Sequence, residues 1–205
     1  MNDPAPTIVL ASRSPRRREL LAQIGLAFRL ADIEVDESHR PGEAPTAYVE
    51  RLARAKAGAG IGAASASEAV LGADTVVTVD DGAVLGKPRD EAHALEMLVR
   101  LSGRSHEVHT GVAVARAGGI ASAVVTSRVH LRAIEEAEGR AYWASGEPRG
   151  KAGAYAIQGL GAVFVARLEG SYSNVVGLPL FETVQLLRRF GIDPLQPGAE
   201  SRGWP

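Results

Sequence analysis

The strongest constraint on the fold is the way helical segments alternate with apolar segments of two kinds. The run Ile8-Val9-Leu10-Ala11 predicts a single buried strand, and the helix "RRRELLAQIG" follows it closely. In contrast, "AVLGADTVVTVDDGAVLGKPRD" and "HEVHTGVAVARAGGIASAVVTSRVHLRAI" each hold two apolar runs around a glycine-containing turn, which predicts a hairpin. Helical connections allow parallel pairing and hairpins give antiparallel pairing. The pattern therefore predicts an α/β fold, a mixed twisted β-sheet flanked by helices.

The chain has no evident internal boundary. Its 205 residues suffice for one sizeable domain, and no linker separates two autonomous units. We therefore predict one domain over residues 1–205 with a core of about 7–191. The last segment, "DPLQPGAESRGWP", has no hydrophobic periodicity, so 192–205 is predicted to be a loose tail.

Charge and cysteine content exclude several classes of protein. The net charge of −1 provides no general basic field toward nucleic acid or anionic lipid, so any anion binding must be local. The absence of cysteine excludes disulfides, thiolate catalysis and cysteine-ligated metal centres, and it fits a reducing compartment. The chain does not start like a signal peptide, and no apolar run approaches the roughly 20 residues of a membrane span. We expect a cytoplasmic protein.

Three arginines occupy the first turn of the helix that follows the first strand. Arg16, Arg17 and Arg18 lie where the helix dipole is positive and disfavours cations. A bound phosphate would reverse that repulsion, because free amides at a helix N-terminus and arginine forks both bind phosphate. Ser12 and Ser14 would add hydroxyl donors. The alternative is that the arginines are simply solvated.

A lysine lies on the apolar face of a later helix. In "AYVERLARAKA", Tyr48, Leu52 and Lys56 are four residues apart and share one face. Lys56 therefore points toward the interior or a cleft. Either its stem is packed while the ammonium reaches water, or the ammonium is directed at a buried anion.

Two carboxylates and a second lysine complete the charged candidates. Asp74 stands among apolar strand residues in "VLGADTVV", so it requires a cation, a metal or several hydrogen bonds. Alternatively, Asp74 forms an ion pair with a lysine or arginine that has only a structural role. Glu37 lies on an acidic loop, and two carboxylates with phosphate oxygens form the set that magnesium prefers. Lys87 in "LGKP" follows the return strand of a hairpin, where a plain surface lysine is the alternative.

A glycine-rich segment offers a candidate for base recognition. In "KAGAYAIQGLGA", Gly153, Gly159 and Gly161 permit tight turns and close ligand approach. Gln158 presents both a donor and an acceptor, which suits the edge of a nucleobase. The alternative is an irregular loop whose glycines serve only its turns.

Together these motifs resemble one family. "LASRSPRRRELL", "GADTVV", "LGKP", "HEVHTGV" and "EPRGKAGAYAIQGLGAVFVARLEGSYSNVVGLPL" closely resemble the Maf family of nucleotide pyrophosphatases, in the expected order from about Ile8 to Gly191. The departures, a slightly extended N-terminus and the tail after Gly191, touch no motif. The resemblance implies a cytoplasmic homodimer with the fold of the inosine triphosphate pyrophosphatases, in which two lobes surround a cleft.

The resemblance also implies a reaction and its catalytic residues. Family members hydrolyse nucleoside triphosphates to the monophosphate and pyrophosphate with a divalent metal, Mg or Mn. By motif, Asp74 is the implied proton acceptor, and Glu37, Lys56 and Lys87 match the other catalytic positions. Asp74 and Glu37 are the candidate metal ligands.

Three positions mark substrate choice in this family. They are Arg16, Thr75 and Gln158 here, a combination that resembles the subgroup acting on dTTP and UTP. The sister subgroup acting on 7-methyl-GTP has tryptophan and glutamate at the positions of Arg16 and Gln158. Ser12 and Arg17 are predicted to hold the triphosphate beside them.

Two other functions are consistent with the same resemblance. One is a regulatory nucleotide-binding protein that inhibits septum formation in cell division without turnover. The other is a broader house-cleaning pyrophosphatase for modified nucleotides. A nucleic-acid binder is disfavoured by the net charge of −1 and an aromatic content of 5%.

Overall fold

A mixed sheet of seven strands forms the centre of the computed structural model, which describes residues 8–80 and 82–195. The strand order is β2-β1-β3-β5-β6-β7, with β4 paired to β3 beside this path. The first strand pairs in parallel with the second and third, and all other pairs are antiparallel. The predicted mixed α/β sheet is therefore confirmed. The strands are β1 (Ile8–Ala11), β2 (Phe28–Leu30), β3 (Ala69–Thr78), β4 (Val84–Leu85), β5 (Ser105–Arg116), β6 (Gly119–Leu131) and β7 (Val165–Glu169).

Helices connect and cover these strands. Short 3-10 helices at Ile61–Ala63, Ala152–Ala154 and Gly159–Phe164 add single turns. Within the described ranges, no helix combines the length and the apolar character that a membrane crossing requires. The α-helices are α1 (Pro15–Gln23), α2 (Pro45–Gly60), α3 (Glu91–Leu101), α4 (Glu136–Ala144), α5 (Tyr172–Val176) and α6 (Leu180–Arg188).

The central strands are buried on both faces. On one face, Leu10, Leu71 and Val112 belong to a cluster that also holds apolar side chains of α1 and α6. On the other face, α2 packs its alanines and Val49 against β3 and β5. Successive residues of a strand point to opposite faces, so β3 sends Asp74 toward α2 and Thr75 toward α5.

The start of the predicted tail lies against the domain. Ile192 packs on the cluster beneath α6, and the Arg188 guanidinium donates to Asp193 at 2.9 Å. Residues 196–205, most of the predicted tail, lie outside the described residues, as do 1–7 and 81.

Two strand glycines allow α2 to lie directly on the sheet. Gly111 of β5 pairs with Asp74, and a Cβ added there would come closer than 3.0 Å to the carbonyl of Val49. A Cβ added at Gly72 of β3 would likewise come closer than 3.0 Å to the carbonyl of Ala53. Only a residue without a side chain fits at these two points, and this close approach brings α2 within reach of Asp74.

Gly111→Ala is expected to lower the free energy of unfolding by about 3 kcal/mol, because the methyl group would force the α2 backbone away from the sheet. Urea denaturation measures this change. Gly119→Ala in β6 is the matched control, since nothing lies within 4 Å of a Cβ there. Equal stability of the two variants would contradict the packing argument.

Candidate functional site

A cleft of about 1040 Å³ opens beside β3. On that side, β1 pairs with β3 only as far as Gly72, and β4 pairs with it only from Val77. Residues 73–76 thus lack a strand partner there, which gives a ligand access to both faces of the strand. All nine predicted site residues line this cleft: Ser12, Arg16, Arg17, Glu37, Lys56, Asp74, Thr75, Lys87 and Gln158.

Lys56 joins the two predicted catalytic carboxylates. Its Nζ lies 2.8 Å from Oδ1 of Asp74 and 2.6 Å from Oε1 of Glu37. The side chains of Lys56 and Asp74 are only 11% and 14% exposed, so the ammonium is directed at carboxylates rather than at solvent. The hydrogen bond from Lys56 holds the pKa of Glu37 below its usual value. Asp74 is thus an ionic partner of Lys56 that still faces the cleft.

Tyr48 fixes the loop that carries Glu37. Its hydroxyl donates to the backbone carbonyl of Glu37 at 2.8 Å, and its ring stacks on His39 with the centroids 3.9 Å apart. Tyr48 and Lys56 share one face of α2, as their spacing predicts. That spacing did not indicate the contact between Tyr48 and the loop, because the loop precedes the helix without a regular pattern.

Two of the three arginines of α1 reach the cleft, held by carbonyls at the end of α5. Arg16 donates through Nε to the carbonyl of Val176 at 3.2 Å, and Arg17 through Nε to that of Gly177 at 2.8 Å. Burial lowers the pKa of both guanidinium groups. Arg18 does not line the cleft. The repulsion from the helix dipole is therefore offset partly by fixed carbonyl oxygens, before any anion binds.

Thr75 takes part in a hydrogen-bond chain through the floor of the cleft. Arg17 donates to Oγ1 of Thr75 at 3.2 Å, and this oxygen lies 2.9 Å from that of Thr110. Thr110 donates in turn to the carbonyl of Asn174 at 3.1 Å. Arg17 also donates to Oγ of Ser12 at 3.1 Å. Arg17 and the three hydroxyls are therefore held as one rigid group.

The remaining predicted residues lie on loops. Lys87 is exposed at the rim after β4, and its charge contributes to the low pKa of Glu37. Gln158 is half-buried at the start of the 3-10 helix Gly159–Phe164. Its side chain makes no hydrogen bond to any other residue that the structure describes. Its donor and acceptor are thus free to meet a ligand.

Lys151 is a cleft residue that the sequence analysis missed. It is half-buried, and burial together with the nearby charge of Arg16 lowers its pKa. The composition could have indicated Lys151, because lysine is rare in this chain, with only three among 23 basic residues. All three, Lys56, Lys87 and Lys151, line the cleft.

The acidic groups suit a metal that is shared with a substrate. Over residues 8–80 and 82–195, no three histidine, aspartate or glutamate side chains converge as a metal-binding cluster. Asp74 and Glu37 lie on either side of the Lys56 ammonium and offer two carboxylates to the cleft. Mg²⁺ is commonly bound by one or two carboxylates, water and substrate phosphates. The donor set therefore fits a metal completed by phosphate oxygens.

Comparison with known proteins identifies the relatives of this chain. The family model described as Maf-like protein matches residues 7–190. The dTTP/UTP pyrophosphatase of Vibrio cholerae is 55% identical over 183 residues, 89% of this chain and 97% of that protein. The dTTP/UTP pyrophosphatase of Hahella chejuensis is 54% identical over 187 residues, 90% and 92% of the two chains.

A solved structure, that of the Staphylococcus aureus Ham1 protein, is 15% identical with a TM-score of 0.41, over 60% of this chain and 71% of that one. The family assignment rests on the match to the family model and on the sequence relatives, both of which span nearly the whole chain. This chain is a member of the Maf family.

Proposed function

We propose that this protein hydrolyses dTTP and UTP to the nucleoside monophosphate and pyrophosphate. Relatives that share more than half of their residues with it over nearly their full length are dTTP/UTP pyrophosphatases. The observation that carries the proposal is the Lys56 ammonium between Asp74 and Glu37, in the same cleft as Arg16 and Arg17. Phosphoryl chemistry depends mainly on such positioning and charge neutralisation.

The cations of the cleft would bind the triphosphate. Arg16, Arg17, Lys87 and Lys151 provide positive charge around it. Ser12 and the free amides at the start of α1 add hydrogen-bond donors. Arg16 and Arg17 are already held by backbone carbonyls, so they would stabilise the negative charge of the transition state without reorganising.

Asp74 would act as the general base. It orients a water molecule for in-line attack on the α-phosphorus and accepts its proton. A new oxygen–phosphorus bond forms as the bond from the α-phosphorus to the bridging oxygen breaks, and pyrophosphate leaves with that electron pair. Lys56 holds Asp74 in position before the attack through the contact of its Nζ with Oδ1 at 2.8 Å.

A divalent cation, Mg or Mn, would be held by Asp74 and Glu37 with phosphate oxygens. When bound, it supplies charge neutralisation and a lower pKa for the attacking water. Gln158 would pair with the edge of uracil or thymine, using the donor and acceptor that have no partner among the described residues.

Incubation of the purified protein with Mg²⁺ or Mn²⁺ and a panel of dTTP, UTP, CTP, GTP, ITP and 7-methyl-GTP tests this proposal. We expect pyrophosphate release from dTTP and UTP well above that from the other nucleotides, with orthophosphate counted separately. Equal release from all bases would support a broader house-cleaning pyrophosphatase instead. No release from any nucleotide would favour the regulatory role in septum formation.

We also propose a cytoplasmic location and a homodimeric state. The absence of cysteine agrees with the first. Light scattering coupled to gel filtration measures the second, and a mass near 21.5 kDa, that of one chain, would contradict it.

A further inference from the structure

A buried tyrosine and a half-buried glutamate hold the segment that carries Gln158. Tyr142 of α4 is 4% exposed; its hydroxyl donates to Oε1 of Glu147 at 2.7 Å and accepts from the amide of Ala156 at 3.0 Å. Glu147 also accepts from the amides of Leu160 at 2.8 Å and Gly161 at 2.9 Å. We call Tyr142 and Glu147 the clasp. Its three backbone contacts lie on both sides of Gln158.

The charge states of the clasp fit these hydrogen bonds. Burial, and then the neighbouring carboxylate, raises the pKa of Tyr142, so it keeps its proton and donates. Burial alone would raise the pKa of Glu147, but the backbone amides and the Tyr142 hydroxyl outweigh it and lower that pKa. The clasp is thus a phenol bound to a carboxylate, and such charge-assisted hydrogen bonds are the stronger kind.

Two glycines allow the chain to close around the clasp. Gly159 has a φ of 72°, and a Cβ there would overlap the carboxylate of Glu147. A Cβ at Gly161 would overlap the carbonyl of Ala156 and the hydroxyl of Tyr142. The glycines of "IQGLG" therefore allow the backbone next to Gln158 to approach the clasp closely.

We propose that Tyr142 and Glu147 are positioning residues for base recognition. Neither lines the cleft, so they act through Gln158. The side chain of Gln158 has no partner among the described residues, so its place depends on the backbone of 156–161. The clasp binds that backbone at three amides. The inference rests on the proposed function, in which Gln158 meets the pyrimidine base.

Tyr142→Phe and Glu147→Gln test the clasp, with Glu138→Gln as the matched control. Glu138 lies on the same helix and pairs with Arg132 at 2.7 Å, outside the cleft. Each clasp variant is expected to raise KM for dTTP and UTP about tenfold and to lower their preference over CTP by a similar factor, the effect of one lost hydrogen bond to a charged group. The value of kcat should change less. Inhibition by inorganic tripolyphosphate, which has no base, should stay unchanged.

A double-mutant cycle with Gln158→Ala separates positioning from general stability. Because the clasp acts through Gln158, Tyr142→Phe should cause no further loss of base preference in the Gln158→Ala background. Additive losses would overturn the inference. Unchanged KM and preference in both clasp variants, or parallel weakening of tripolyphosphate inhibition, would overturn it as well.

The failure of the proposed function would give a different result. In that case the wild-type protein would release no pyrophosphate, and equilibrium binding of dTTP and CTP would replace the kinetic comparison. The clasp variants should then lose the preference for dTTP, while Glu138→Gln should keep it. Equal preference in all three proteins would overturn the clasp assignment by itself.

Discussion

Asp74→Asn is expected to reduce kcat for pyrophosphate release from dTTP by about 1,000-fold. The asparagine amide has nearly the same shape but cannot accept a proton from water. Lys56 keeps its contact with Glu37 at 2.6 Å, so the cleft should retain most of its shape. The loss should therefore appear in kcat far more than in KM.

The measurement is initial pyrophosphate release with saturating dTTP and either Mg²⁺ or Mn²⁺. Asp193→Asn is the matched control, because Asp193 pairs with Arg188 away from the cleft and should leave kcat unchanged. Near-normal turnover by Asp74→Asn would exclude Asp74 as the general base. It would direct attention to Glu37, the other carboxylate on Lys56.

Lys56→Met is expected to lower kcat/KM for dTTP by about 100-fold, the scale of losing one preorganised charged group. Methionine preserves much of the aliphatic packing on α2 but leaves Asp74 and Glu37 facing each other without their shared cation. The two carboxylates then repel one another and lose the donor that orients both. Thermal stability should fall too, because Asp74 remains mostly buried.

Steady-state kinetics and a thermal melt measure the two effects of Lys56→Met. Arg140→Met serves as the control, since Arg140 pairs at the surface with Glu136 and exposed ion pairs contribute little. An unchanged kcat/KM for Lys56→Met would show that Lys56 is only a structural partner of Asp74. A decrease in kcat/KM no larger than that of Arg140→Met would lead to the same conclusion.

Local sequence was sufficient for the main elements and for most of the candidate residues. The apolar run at 8–11 and the two hairpins are strands because their patterning matches a buried pleat, whatever they pack against. Lys56 and Asp74 were conspicuous because charged groups among apolar residues require partners. The resemblance to the Maf family added Thr75, whose local surroundings indicate no role by themselves.

Contacts between distant segments could not be predicted from those patterns. Glu37 and Asp74 meet on Lys56 only because Gly72 and Gly111 admit α2 onto the sheet. The clasp needs α4, and no periodicity links Tyr142 to the amide of Ala156. Such contacts join residues that are tens of positions apart in the sequence. They depend on how the folded elements orient their side chains, and a local sequence pattern does not contain that information.

The three arginines of α1 show which features can be predicted from sequence and which depend on the fold. The order of residues is enough to predict that a strand runs into a helix with Arg16, Arg17 and Arg18 in its first turn, and that this turn suits an anion. Only the folded chain shows that Arg16 and Arg17 line the cleft while Arg18 does not. The physical reason is the position of α5, whose terminal carbonyls at 176 and 177 hold the first two guanidinium groups.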